Sequence, residues 1–220
     1  MARRAAENNP PAEGLGWRTP DPINARFETP RLIVRPLTLD DVEPLFAVIE
    51  RSRTHLFPWV TWADTGHKTL AQTAAFIAEQ QRVLEKPAAF TAITLAVVLR
   101  ETGGIVGGTG LHDVRPDTAS AETGYWIAAG HTRNGYAAEA CRHTISWAFR
   151  PQTEGGMGLR RIRLYCSAAN EPSRRLIDGL GIRREVEQRE DYWIEGIGPT
   201  TRLGWGILAD EWDTASHGTK

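Results

Sequence analysis

Apolar positions recur along this chain at two spacings, and the changes between them mark out the elements. RLIVRPL (31–37) is a short β-branched run and predicts a strand. In the following DDVEPLFAVIE, Val42, Leu45, Phe46 and Ile49 stand three and four apart, the repeat of a helix face. Pro44 fits that helix if Asp40 or Asp41 is the N-cap, because the proline then lies in or near the first turn. HLFPWVTWAD (55–64) is aromatic and broken by proline, which predicts a loop. TLAQ (69–72) has the Thr-x-x-Gln form of a capping box, and the helix after it carries Leu70, Ala74, Ile77 and Leu84 on one side and stops at Pro87.

Strands come next. FTAITLAVVL (90–99) is β-branched and apolar, GGIVGGTGLHDV (103–114) follows across the turn ETGG, and SAETGYWIA (120–128) is a third. Ala137, Ala140, Cys141, Ile145 and Ala148 then return to helical spacing over 136–149, with Gly135 at the junction. RRIRLYCSA (160–168) reads as another strand. Asn170 can cap a helix with Pro172 in its first turn, Leu176, Ile177 and Leu180 facing inward and Gly181 as its stop. REVEQREDYWI and TTRLGWGIL alternate as a closing hairpin. The order is one strand, two helices, three strands, a helix, a strand, a helix and two strands, which makes one mixed α/β domain over residues 27–212. Residues 1–26, rich in Pro, Asn, Gly and charge, read as a flexible or peripheral extension, and 213–220 as a tail.

Composition narrows the function classes. The formal net charge is −1 over 220 residues, so nothing pulls the whole chain towards nucleic acid or a membrane. The local clusters LRRIR (159–163) and SRR (173–175) read as solvated faces. The two cysteines, Cys141 and Cys166, fall in a helix face and a strand. They read as small core residues, and their number and spacing argue against a zinc site or a disulfide framework. No apolar run has membrane-spanning length, and MARRAAENNPP lacks the apolar stretch of a signal peptide. The default expectation is a cytoplasmic protein with no membrane partner and no metal.

HTRNGYAAEA (131–140) places Gly135 between a strand and a helix. A helix start offers unpaired N–H groups and a partial positive charge. Without a Cβ, Gly135 lets an anion come close to that backbone. An ordinary connecting glycine fits this stretch equally well.

Four stretches, in order, resemble one family. ETPRLIVRPLTLDD, LFPWVTW, AETGYWIAAGHTRNGYAAEA and NEPSRRLIDGLGI resemble the opening, the Leu-x-x-Trp loop, the central strand with its acyl-CoA loop, and the Asn-x-x-Ser-x-x-Leu-x-x-x-Gly motif of the RimJ/RimL-type branch of the GNAT superfamily. These are acyl-CoA-dependent N-acetyltransferases, and the named members of the branch acetylate the N-termini of ribosomal proteins. The resemblance covers residues 27–212. It implies a mixed, mostly antiparallel central sheet flanked by helices, with a splayed central strand pair holding acyl-CoA. It implies acetyl-CoA as co-substrate, a longer acyl-CoA being compatible, and an amine acceptor that is either a protein N-terminus or a small molecule. A homodimer is compatible with the branch, and nothing in the sequence establishes one.

The resemblance also assigns residues. The superfamily pattern Gln/Arg-x-x-Gly-x-Gly/Ala maps onto Thr132, Arg133, Asn134, Gly135, Tyr136 and Ala137, whose backbone amides would face the pyrophosphate. Gly135 and Ala137 match. Thr132 replaces Gln or Arg, and Arg133 stands where glycine is frequent and can supply a cation. Ile127 and Ala128 would pair their backbone with the pantetheine arm. Glu122 resembles the Glu of Glu-x-Gly-Tyr-Trp and is the candidate base, with His112 and Asp113 as nearby alternatives. Ser173 would stabilise the departing thiolate, since no tyrosine stands between Asn170 and Tyr192. Asn170 would cap its helix and contact the pantetheine arm. Trp59, Trp62, Tyr125, Trp126 and Trp193 are acceptor-pocket candidates or core aromatics. Asp64, Glu190 and Asp191 either attract a cationic amine or solubilise the surface. The alternative is a non-catalytic acyl-CoA-binding module on the same fold, which Thr132 keeps open. Nucleic-acid binding is disfavoured by the charge.

Overall fold

The β-branched and apolar runs pair into one eight-stranded sheet. The computed structural model describes residues 16–85 and 91–212. Its strands are β1 (Phe27–Glu28), β2 (Leu32–Pro36), β3 (Ile93–Leu99), β4 (Ile105–Arg115), β5 (Ser120–Ile127), β6 (Arg161–Ser167), β7 (Arg183–Ile194) and β8 (Gly198–Leu208). The helices are α1 (Val42–Leu56), α2 (Trp62–Thr65), α3 (Leu70–Glu85), α4 (Tyr136–Phe149) and α5 (Glu171–Gly179). The strand order is β1-β2-β3-β4-β5-β6-β8-β7, and each pair is antiparallel except β5–β6.

That parallel junction is short. It pairs Ser120 with Arg161, Ala121 with Ile162 and Glu122 with Arg163, then stops, although β5 continues to Ile127 and β6 to Ser167. The two strands splay apart and open the sheet in its middle.

Both faces of the sheet are covered, which is why β3 reads as a continuous apolar run. Successive side chains alternate: Leu95 and Val97 join the core under α4 and α5, Ala96 and Val98 the smaller core under α1 and α3. The first core holds Trp147, Ile145, Leu111 and Ile162, and the second Leu45, Ile49 and Ile77.

Local chemistry fixes the helix starts. Asp41 is the N-cap of α1, and Arg35 of β2 grips its carboxylate with two bonds of 2.7 and 2.8 Å. Pro44 falls in the first turn, as expected. Asn170 caps α5 by accepting from Ser173 N–H at 3.2 Å, and Gly181 follows the helix at φ +75°. Thr69 accepts from Gln72 N–H, but the Gln72 side chain reaches back to Lys68 N–H rather than to Thr69.

Two expectations need correcting. Residues 55–64 are not all loop, because α1 continues to a buried Leu56 and a turn of helix forms at Trp62–Thr65. Burial of Leu56 and Ala63 holds these turns on either side of Pro58. Leu70 is exposed, and Thr73 and Ile77 form the buried stripe of α3 instead. Of the extension expected over 1–26, residues 16–26 lie against the domain. Ile23 and Ala25 are buried, Trp17 Nε1 donates to Met157 O, and Trp147 Nε1 donates to Asn24 O. Residues 1–15 and 213–220, with Pro87 and Phe90, lie outside the described residues. Among the described residues no helix is long and apolar enough to cross a membrane.

Candidate active site

The link from β5 to α4 is built from polar side chains folded back on their own backbone. Thr132 Oγ1 donates to Ala129 O at 3.3 Å, and Asn134 Nδ2 donates to His131 O and Thr132 O at 3.2 Å. Two residues take left-handed backbone, Arg133 at φ +62° and Gly135 at φ +78°. Gly135 is the N-cap of α4. Its freedom from a Cβ is needed first for this conformation.

Arg31, just before β2, secures this link. Its Nη1 donates to Asn134 O at 2.8 Å, its Nε to Glu139 Oε2 at 2.7 Å, and its guanidinium stacks on the Tyr136 ring at 4.8 Å. Glu139 also accepts from the Thr29 hydroxyl and from Arg31 N–H. Burial pushes the Glu139 carboxyl up, but the bonds from Thr29 and Arg31 outweigh it and hold it below the usual carboxylate range. Glu139 N–H is the first amide of α4 to reach a helical carbonyl, that of Gly135 at 3.0 Å. The amides of Tyr136, Ala137 and Ala138 precede it, in a turn that has no internal carbonyl to offer them.

These residues line one end of a cleft of about 1410 Å³ that runs through the β5–β6 opening. Thr132, Arg133, Gly135, Tyr136 and Ala137 are on its wall, whereas Asn134 is turned into the loop. Ile127 lines the cleft and Ala128 does not: Ala128 is buried and its N–H donates to Val106 O at 2.9 Å. Backbone groups of an antiparallel pair alternate in direction, so those of Tyr125 and Ile127 turn away from β4 and into the opening. Tyr125 rather than Ala128 is the partner of Ile127 there.

On the α4–α5 side of the sheet, Ser173 Oγ lies 2.9 Å from the Tyr125 hydroxyl. Burial pushes the Tyr125 phenol far above its ordinary value, and the Ser173 bond offsets this only in part, so the phenol keeps its proton. Burial also pushes up the thiol of Cys166, which shares a hydrogen bond with Ser173. Cys166 is buried, but it lines the cleft as well as the core, whereas Cys141 is wholly in the core. Sequence reasoning placed Tyr125 among the pocket aromatics and missed its bond to Ser173. The period of two along β5, which puts Tyr125 on the face opposite Glu122, is the clue that was available.

Glu122 is on the other face. Its carboxylate lies 3.4 Å from Nε2 of His112, its partner across β4–β5. Tyr192 of β7 is close enough that the Glu122 charge, after burial, helps to push its phenol up. Arg202 stacks on Tyr165 at 4.2 Å and on Tyr192 at 5.4 Å. Trp59, Trp62, Trp126 and Trp193 line this end. Trp62 meets Trp126 edge-on at 5.6 Å, and the Trp126 indole fills the space beside Gly108, where a Cβ would come within 2.5 Å of Nε1. Arg53 holds the 57–67 segment by donating to the carbonyls of Ala63, Gly66 and His67. Asp113 turns away to pair with Arg115 and Arg163. Asp64, Glu190 and Asp191 are not on the cleft wall, and Asp64 and Asp191 pair with Lys68 and Arg202. Among the described residues no three His, Cys, Asp or Glu side chains gather as a metal site.

A split sheet with a helix start at one end of the opening is the architecture of an acyl-CoA transferase, and the comparisons agree. A family model described as "Acetyltransferase (GNAT) domain" matches residues 31–183. YoaA of Bacillus subtilis (strain 168), an uncharacterized N-acetyltransferase, is 28% identical over 77% of this chain and 89% of its own length. YdaF of the same organism, a putative ribosomal N-acetyltransferase, is 24% identical over 83% of this chain and 93% of its own. The solved structure of Mycobacterium smegmatis RimJ in complex with CoA-disulfide superposes with a TM-score of 0.73 at 19% identity, covering 90% of this chain and 95% of that one. The chain belongs to the GNAT acetyltransferase family and is an acyltransferase.

Proposed function

We propose that the chain transfers an acetyl group directly from acetyl-CoA to a primary amine, in a cytoplasmic setting. The observation that carries this reading is the opening between β5 and β6, which joins Glu122 on one face to the Ser173–Tyr125 pair on the other. The residues fit the donor. The first-turn amides of α4 and the cation of Arg133 suit a pyrophosphate. The outward backbone of Ile127 and Tyr125 suits an amide-bearing arm, and Asn170 stands at the cleft wall beside Ser173. When bound, acetyl-CoA supplies the activated thioester.

In this reading Glu122 accepts the proton that the acceptor's ammonium must lose before its nitrogen can attack. Ser173 donates a hydrogen bond to the departing sulfur. Tyr125, kept protonated by burial, donates to Ser173 Oγ and makes the serine a better donor than it would be alone. Thr132 takes no direct part through its hydroxyl, which already donates to Ala129 O. The likeness to YdaF, a putative ribosomal N-acetyltransferase, favours a protein N-terminus as acceptor, and a small amine fits the same chemistry.

The test begins with thermal unfolding with and without acetyl-CoA. A ligand at about 100 times its dissociation constant adds about 2.7 kcal/mol to stability, a shift of several degrees. Thiol release is then followed with peptides bearing a free N-terminus and with small amines. Transfer that disappears in Glu122→Gln supports the reading. A donor shift without turnover on any amine would leave a binding module in place of an enzyme.

A further inference from the structure

Acetylation of an ammonium by a thioester yields an amide, a thiol and one net proton. That proton has to leave a cleft whose candidate base is only partly exposed. We propose that His112 carries it from Glu122 to solvent. This rests on the reading above, in which Glu122 receives the amine's proton.

The geometry puts the two groups in series. His112 and Glu122 are directly opposed on β4 and β5, and Nε2 lies 3.4 Å from Oε1. The imidazole extends along the sheet over Gly124, where a Cβ would stand 3.3 Å from Cε1, so the absence of a side chain there leaves the ring its shelf. The His112 side chain is 47% exposed and that of Glu122 24%, a gradient from the cleft wall to water.

The other groups on this face cannot do the same work. Arg163 of β6 is the parallel neighbour of Glu122, but its guanidinium is held by the Asp113 carboxylate at 3.0 Å. Arg202 of β8 is stacked on Tyr192 and paired with Asp191. Tyr192 of β7 keeps its proton because burial pushes its phenol up. An imidazole is the side chain that gains and loses a proton near neutral pH. Glu122 passes the proton to His112 Nε2, the carboxylate is restored, and the imidazolium releases the proton to water. No oxidant or further reactant is involved. His112 acts through Glu122 and not on the acceptor.

The experiment uses the full chain, acetyl-CoA, and two acceptors, an alanyl peptide and phenylethylamine, with thiol release as the readout. In His112→Gln and His112→Ala, kcat should fall at least about tenfold while KM for acetyl-CoA stays within about twofold. Imidazole added to His112→Ala should restore kcat in proportion to its concentration, a response that a merely structural role would not give. Wild-type kcat in both variants would overturn the relay, and so would a loss that imidazole leaves unchanged. If the wild type released no thiol with either acceptor or with any other primary amine tried, the acetyl-transfer reading itself would fall, and the relay with it. The wild-type arm separates the two failures.

Discussion

The hydroxyl of Tyr125 stands 2.9 Å from Ser173 Oγ and links the middle of β5 to the first turn of α5 beside the opening in the sheet. One partner is a half-buried phenol that keeps its proton, and the other is a serine at the cleft wall.

Tyr125→Phe keeps the ring and deletes this bond. Turnover should fall about tenfold or more, with little change in donor affinity. Ser173→Ala should act in the same direction, and the double variant should lose less than the product of the single losses, because the two groups work in one chain. Steady-state rates for the four proteins, with calorimetric donor affinities, check this.

The two left-handed residues of the loop give substitutions of opposite sign. Gly135→Ala forces a Cβ onto φ +78° and should cost about 1 kcal/mol of stability as well as donor affinity. Arg133→Gly relieves the same conformation at φ +62° and should leave the melting temperature equal or higher, while weakening the donor through the lost cation. Melting curves with and without acetyl-CoA separate backbone strain from charge.

Glu139 gives a stability term with a defined pH window. Its carboxyl is held below the usual range, so the contribution is complete above the unfolded-state value, about 4.3, and is lost as pH falls through the folded value. Glu139→Gln should therefore melt earlier than the wild type at pH 7, and the gap should narrow progressively below about pH 4. A gap that widens in acid would contradict the assignment.

Gly108→Ala places a methyl group where the Trp126 indole now lies. The indole must shift, and Trp62, edge-on to it at 5.6 Å, must follow. KM for the acceptor should rise while the dissociation constant for acetyl-CoA stays put, as measured by initial rates and calorimetry.

Most of the element order was legible because the apolar repeats are long and flanked by clear caps. Asn170, Asp41 and Pro44 marked helix starts that the structure keeps. The site was legible by position more than by contact. Thr132 through Asn134 lie in the link ahead of α4, Gly135 caps the helix and Tyr136 and Ala137 begin it, but the inward turn of Asn134 depends on carbonyls that only the folded loop brings together. The turn of the Ala128 amide towards Val106 O was not legible, because its direction is set by the pairing phase with β4, which sequence leaves undefined. The Tyr125–Ser173 bond spans 48 positions and needs the α5–β5 packing. The helical turn at Trp62–Thr65 was hidden by the proline and aromatics before it.

The pairing that ends at Glu122 and Arg163 opens the sheet, and under the proposed function this puts the two substrates on separate construction sites. In the proposed reading the donor end is made by residues 125–137 and 170–173, and the recipient end by the 57–67 segment and the β7–β8 hairpin, with β5 as their common wall. In that reading, changes at the exposed positions of these segments should leave the grip on the donor intact. A mutant library confined to those two surface segments should therefore yield new recipient preferences at constant donor affinity, and inheritance of one donor by enzymes with unrelated recipients needs no rebuilding of the sheet.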